Sequence, residues 1–131
     1  MPRTPCTVLF VDDDAALLRG LGRNLSEEDF DVITAVSAAE ASVVLRRSAV
    51  DVVVCDQRMP GVTGIDFLAG VRRQYPHIVT LILSGHVSGL PIAMRAAEEI
   101  GIHEVLSKPC SAAELTQAIR RAFKAETVKT T

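Results

Sequence analysis

Apolar and polar positions along this chain repeat with two different periods. Short β-branched and aliphatic runs at Thr7–Val11, Val32–Val36, Val52–Cys55, Ile78–Leu83 and Glu104–Leu106 read as strands. Three of these are almost unbroken apolar runs, the pattern of parallel strands buried on both faces. Val32–Val36 alternates less cleanly, which places it at a sheet edge. Between the runs the period lengthens to that of a helix. Leu18, Leu21 and Leu25 share one face, and Ala38, Ala41, Val44 and Leu45 share another. Leu68 and Val71 mark a third helix, Ala93, Ala96, Ala97 and Ile100 a fourth, and Leu115, Ile119, Ala122 and Phe123 a fifth.

Local capping chemistry supports two of these helices. Ser37 with Glu40, and Ser111 with Glu114, have the spacing of a capping box, in which each pair satisfies two backbone donors. The fourth helix opens near Gly89 and Pro91, and a proline is tolerated only in its first turn. Strand–helix alternation of this kind predicts an α/β fold: a three-layer, doubly wound parallel sheet of five strands with helices on both faces. With 131 residues the chain is too short for an eight-fold barrel, which needs about 250. It suits one domain over 1–131, with a core of about 6–125 and a polar tail at 126–131 that is expected to fray. No linker, repeat or low-complexity segment interrupts it.

Composition removes several classes of function. The apolar share of 48% and charged share of 23% are ordinary for a soluble globular domain. A net charge of -2 and a pI near 5.9 do not indicate a broad nucleic-acid-binding face. Cys6, Cys55 and Cys110 are widely spaced and form no metal-ligand pattern with the histidines, so they read as reduced apolar residues. His77 and His103 read as surface residues. The N-terminus has no apolar signal core and no stretch reaches membrane-spanning length, which points to the cytoplasm and to no membrane partner.

Reactive residues gather at predicted strand ends, where this architecture builds its sites. Strand one stops at Asp12, Asp13 and Asp14, carboxylates close enough to repel and to call for a cation. Asp56 ends strand three, Ser84 strand four, and Lys108 strand five. One strand-end Asp is ordinarily a helix cap and one Lys ordinarily surface. Acid, acid, hydroxyl and amine at four strand ends form a pattern that those ordinary roles do not account for.

The phrases VLFVDDD, VVVCDQRMPGVTG, LILSG and LSKP resemble those of receiver domains of bacterial two-component response regulators, and the resemblance runs from about Cys6 to Ala125. It implies the flavodoxin-like (βα)5 topology with strand order 2-1-3-4-5. It implies a phosphorelay function, with a phosphoryl group passing from a sensor histidine kinase, or a histidine phosphotransfer protein, to Asp56. By the same resemblance Mg²⁺ is the cofactor, held by Asp12, Asp13, Asp56 and the backbone carbonyl of Arg58. Lys108 and Ser84 would each contact a phosphoryl oxygen. Such a domain catalyses only its own phosphorylation and dephosphorylation, and homodimerisation on phosphorylation is a further expectation. Asp14 is left outside the site as a helix cap. Met59-Pro60-Gly61 reads as a rigid turn and Gly64 as relief for close backbone packing. His86 and Arg58 occupy positions that tune phosphoryl loss in the family, although His86 by itself reads as a solvated loop residue.

Three residues depart from the family pattern. Val105 stands where Tyr or Phe is common, and valine has no ring to reorient, so the aromatic half of the family's switch is missing. Gly85 replaces a small alanine-like residue, and Cys110 replaces a bulky apolar one. Three other readings compete. A phosphorylation-independent interaction module would fit Val105 but leaves Asp12, Asp13, Asp56, Ser84 and Lys108 unexplained. An Asp-nucleophile phosphatase would use Asp12 and Asp14, but Ala16 breaks its motif and no cap domain is present. A flavin-binding relative would meet repulsion between its phosphate and the aspartates.

Overall fold

Alternate residues of a strand point to opposite faces, and here both directions are apolar. In the computed structural model, which describes residues 6–26, 30–85 and 90–130, the strands are β1 (Cys6–Val11), β2 (Phe30–Ala35), β3 (Val52–Asp56), β4 (Val79–Ser84) and β5 (Glu104–Ser107). The helices are α1 (Ala15–Ser26), α2 (Ala38–Arg47), α3 (Gly64–Gln74), α4 (Leu90–Ile100) and α5 (Ala112–Thr130). All pairings are parallel, and the order is β2-β1-β3-β4-β5. Every residue of β3 and β4 is buried, as the unbroken apolar runs require.

The two faces carry separate cores. Val8, Phe10, Val52, Val54 and Leu81 point toward Leu18 and Leu25 of α1 and Leu115 and Ile119 of α5. Leu9, Val11, Val53 and Ile82 point toward Ala41 and Leu45 of α2, Leu68 and Val71 of α3, and Ala97 of α4. The edge strand β2 begins at Phe30 and ends at Ala35, which leaves Val36 outside it and 42% exposed.

Helix starts follow the polar pattern with additions. At α5 the capping box is complete: Ser111 Oγ accepts from Glu114 N–H at 3.1 Å and Glu114 Oε1 accepts from Ser111 N–H at 3.3 Å. At α2, Ser37 Oγ accepts from Glu40 N–H at 3.1 Å. Asp14 Oδ1 accepts from Leu17 N–H at 3.1 Å, the cap expected of it. Thr63 caps α3 by accepting from Asp66 N–H at 3.1 Å, and its spacing to Asp66 is a near relative of the capping box. Pro91 falls in the first turn of α4, while Gly89 lies outside the described residues.

Two features differ from the sequence reading. Helix α5 runs to Thr130, past the start of the expected tail. His103 is not a free surface residue; its side chain is only 11% exposed. Thr80 N–H donates to His103 Nδ1 at 3.0 Å, and the Thr80 hydroxyl lies 3.2 Å from the same nitrogen. A backbone N–H can only donate, so Nδ1 is unprotonated and Nε2 carries the proton, which it donates to Glu126 Oε2 at 3.0 Å. This contact, with the Arg121 guanidinium on both Glu104 oxygens at 3.0 and 2.8 Å, fastens α5 to the β5 edge. His77 is exposed, as expected.

Candidate functional site

Parallel pairing brings the carboxyl ends of β1, β3, β4 and β5 to one rim of the sheet. Val11 pairs with Cys55, Asp56 with Leu83, and Ser84 with Ser107, so each reactive residue is placed by strand register. Asp12 follows β1 and is tied at both ends: its N–H donates to Ala35 O at 3.1 Å and its Oδ1 accepts from Asp14 N–H at 2.9 Å. Asp12 and Asp56 are buried at 5% and 7% exposure, whereas Asp13 is exposed. One carboxylate oxygen from each of Asp12, Asp13 and Asp56 lies within 4.8 Å of the others.

Lys108 reaches this cluster from β5. Its Nζ stands 3.2 Å from Asp12 Oδ2 and 3.0 Å from Asp56 Oδ1. Its backbone N–H donates to Ser84 O at 2.8 Å, which holds the lysine and the buried Ser84 side by side. The Lys108–Pro109 peptide bond is cis. A Cβ at Gly85 would meet Lys108 Cδ at 3.9 Å, an ordinary contact, so space does not demand glycine there.

Burial and charge oppose each other in this cluster. Burial pushes the Asp56 carboxyl above its ordinary value, and the Asp12 charge adds to the rise. The hydrogen bond and charge of Lys108, and a hydrogen bond with the Arg58 backbone, offset only part of it. Burial also pulls Lys108 down, but Asp56 and Asp12 together outweigh it, and the ammonium is held above its usual range. The difference follows exposure: the Lys108 side chain is 28% exposed and that of Asp56 only 9%. Burial first, then the Asp56 and Asp12 charges, push the Cys55 thiol far up, so Cys55 is an inert core residue beside the site.

The turn after Asp56 is held tightly. Gln57 N–H donates to Leu83 O and Gly64 N–H to Gln57 O, both at 2.9 Å, and Gln57 Oε1 accepts from Ile65 N–H at 2.9 Å. A Cβ at Gly64 would fall onto the Asp56 carbonyl, so glycine is required by close approach. Gly61, at φ +87, takes the left-handed turn position after Met59-Pro60. The side-chain role of Gln57 has no sequence signature, because it depends on where the loop returns. Arg58 is exposed, and His86 lies outside the described residues.

Buried carboxylates around one ammonium at the switch rim of a 2-1-3-4-5 sheet define a doubly wound domain with an acidic, cation-ready pocket. Residues 8–120 match the family described as the response regulator receiver domain, and the chain belongs to that family. Receiver domains of response regulators accept phosphoryl groups from histidine kinases.

The chain is 42% identical over 120 residues to the hydrogenase transcriptional regulatory protein HoxA of Cupriavidus necator, covering 92% of this chain and 24% of that protein. It is 38% identical over 124 residues to the transcriptional regulatory protein GlrR of Escherichia coli, covering 95% and 28%. It therefore spans only about a quarter of the length of these relatives. Among solved structures, a response regulator receiver domain protein from Clostridium thermocellum superposes with a TM-score of 0.85 at 31% identity, covering 94% of this chain and 98% of that one. The chemotaxis response regulator CheY4 of Vibrio cholerae gives 0.81 at 28%, covering 89% and 98%. No helix among the described residues is long and apolar enough to cross a membrane.

Proposed function

We propose that Asp56 is the phosphoacceptor of this receiver domain, and that Mg²⁺ at Asp12, Asp13, Asp56 and the Arg58 carbonyl supports the transfer. The observation that carries the reading is the convergence of three carboxylates on one small volume with Lys108 bound to the two buried ones. The donor set suits the ion. Mg²⁺ is a hard cation that takes oxygen ligands at about 2.0–2.1 Å, uses one or two carboxylates and keeps waters. Oxygens within 4.8 Å of one another can close onto such an ion with small side-chain rotations. When bound, the ion lowers the charge that an incoming phosphoryl group must face.

The remaining work falls to this chain's own side chains. An Asp56 oxygen attacks phosphorus, forming an O–P bond as the bond from phosphorus to the donor's histidine nitrogen breaks. The electron pair leaves with that nitrogen. Burial keeps the Asp56 carboxylate poorly solvated and hence reactive. Lys108, already within 3.0 Å of Asp56, can move its point charge onto a phosphoryl oxygen. Ser84, buried at the neighbouring strand end, donates a hydrogen bond to another. Hydrolysis of the resulting mixed anhydride returns the domain to its starting state, so the only turnover is its own.

The phosphodonor, a sensor histidine kinase or histidine phosphotransfer protein, approaches past α1 and the loop after β5. A hollow of about 460 Å³ lined by Leu17, Leu21, Leu83, Pro109 and Leu115 opens there beside Lys108. Asp14 Oδ1 caps α1, a helix-start role that accounts for this carboxylate without a phosphatase acid. Val105 packs half-buried against the core with no ring to turn, so output travels by a route other than an aromatic switch. Transcriptional control through a further domain, and dimerisation on phosphorylation, extend this reading by analogy to the relatives.

The test is intact mass after incubation with acetyl phosphate. Wild type with Mg²⁺ gains one phosphoryl group, and it gains none in EDTA or as Asp56→Asn. A wild type that stays unmodified across several small donors, or a mutant modified to the same extent, overturns the assignment.

A further inference from the structure

Gln57 contributes no atom to the acidic cluster, yet its backbone N–H, its carbonyl and its side-chain oxygen are each hydrogen-bonded. Its N–H and carbonyl are held by Leu83 and Gly64, bonds that any residue but proline could make. Its amide oxygen is different, because it takes the N–H of Ile65 at 2.9 Å. Four donors at the start of α3 are thereby divided between two residues. Gly64 and Ile65 donate to Gln57, through its carbonyl and its side chain, and Asp66 and Phe67 donate to Thr63. The first turn of a helix leaves the first three of these without intrahelical partners, and Ile65 is 8% exposed, so water is a poor substitute.

These bonds close a loop over residues 58–63. The loop opens with Arg58, whose backbone is hydrogen-bonded to the Asp56 carboxylate. It cannot slide toward β3, because Gly64 already lies against the Asp56 carbonyl. Outward movement is what the Gln57 amide resists. The residue type fits the task. Asparagine is one methylene too short, and methionine has no comparable acceptor.

We infer that Gln57 is a positioning residue: by holding Ile65 N–H, its amide oxygen fixes the Arg58 backbone at the spacing from Asp56 that metal binding requires. This rests on the metal site proposed above and adds a residue to it. Supporting groups around metal ligands are worth about 10–100-fold in affinity when removed.

Mg²⁺ affinity is measured by calorimetry on unphosphorylated wild type, Gln57→Met, Gln57→Asn and Gln57→Glu, with amide exchange of Ile65 followed in metal-free samples. Met and Asn should each weaken Mg²⁺ binding about tenfold and speed Ile65 exchange by a similar factor. Glu, which keeps the acceptor, should preserve Ile65 protection. Unchanged Mg²⁺ affinity in Met and Asn overturns the inference, whether or not Ile65 exchange changes. If Met does not fold, Asn decides. A wild type that binds Mg²⁺ but takes no phosphoryl group at Asp56 defeats the proposed function alone, and the affinities still decide this one.

Discussion

Nζ of Lys108 lies 3.0 Å from Oδ1 of Asp56, yet the Asp56 carboxyl remains above its ordinary pKa. One partly exposed ammonium is shared with Asp12 and does not repay the burial of Asp56. A folded-state pKa above the unfolded value means that the folded chain binds this proton more tightly. Stability from this group is complete below the ordinary value of 3.8 and is lost as pH rises through the folded value. Asp56→Asn removes the penalty and keeps an oxygen for Lys108. It should stabilise the fold at pH 7 by about 1 kcal/mol, with the gain shrinking toward pH 4. Lys108 does not confound the comparison, since its contribution fades only above its ordinary 10.5. Urea denaturation of both proteins from pH 4 to 8 checks this, and a gain that grows on acidification sinks it.

Removing the cation should act in the opposite sense. Lys108→Met leaves Asp12 and Asp56 without the ammonium that bridges them. Buried charges stripped of a partner cost several kcal/mol, and partial exposure moderates this to about 1–3 kcal/mol here. Mg²⁺ should restore much of the loss, because it supplies the missing positive charge. For wild type, a ligand at one hundred times its dissociation constant raises stability by about 2.7 kcal/mol. Asp13→Asn should reduce that Mg²⁺-dependent gain while barely changing metal-free stability, because Asp13 is exposed. Thermal midpoints with Mg²⁺ and with EDTA test all three proteins.

Gly64 lies so close to Asp56 that a side chain there has no room. Gly64→Ala must displace the start of α3 or the end of β3, and overpacking of this kind costs about 1–3 kcal/mol. The displacement falls on the carbonyl of Asp56 itself, so Mg²⁺ affinity should fall along with stability. Gly20→Ala is the control: a Cβ there meets nothing within 4 Å, and stability should hold or rise. Equal effects of the two substitutions on Mg²⁺ affinity would refute the steric account.

The sheet and most of the acidic cluster were legible because both follow from short-range pattern. Val52–Val54 and Leu81–Leu83 are continuous apolar runs, and continuous runs that end in Asp56 and Ser84 mark the rim of a parallel sheet. Helix ends were legible where the cap lies three residues from its partner, as at Ser111 and Glu114. Gln57 was not, since its partner Ile65 is eight positions on, across a turn whose path no period encodes. His103 failed for a stronger reason. Its partners Thr80 and Glu126 each lie 23 positions away, one on a central strand and one near the end of α5. A lone histidine in such company has no local signature, and only tertiary packing reveals that its ring is occupied on both sides.

That occupation has a measurable consequence. The Thr80 amide is fully buried and has the His103 ring as its acceptor, so His103→Leu leaves a donor without a partner. The cost should be about 1–3 kcal/mol. The ring also carries the bond to Glu126, and its loss should release the end of α5 from the sheet edge. Amide exchange around Glu126 should then quicken while exchange around Leu115 and Ile119, buried in the core, stays slow. Glu126→Gln retains an acceptor for the Nε2 proton and should be nearly neutral; Glu126→Leu should free the helix end without the Thr80 penalty. Nitrogen NMR of the imidazole supplies the direct check. It should show the proton on Nε2 at neutral pH, and a proton on Nδ1 would contradict the hydrogen-bond direction on which this chain of consequences depends.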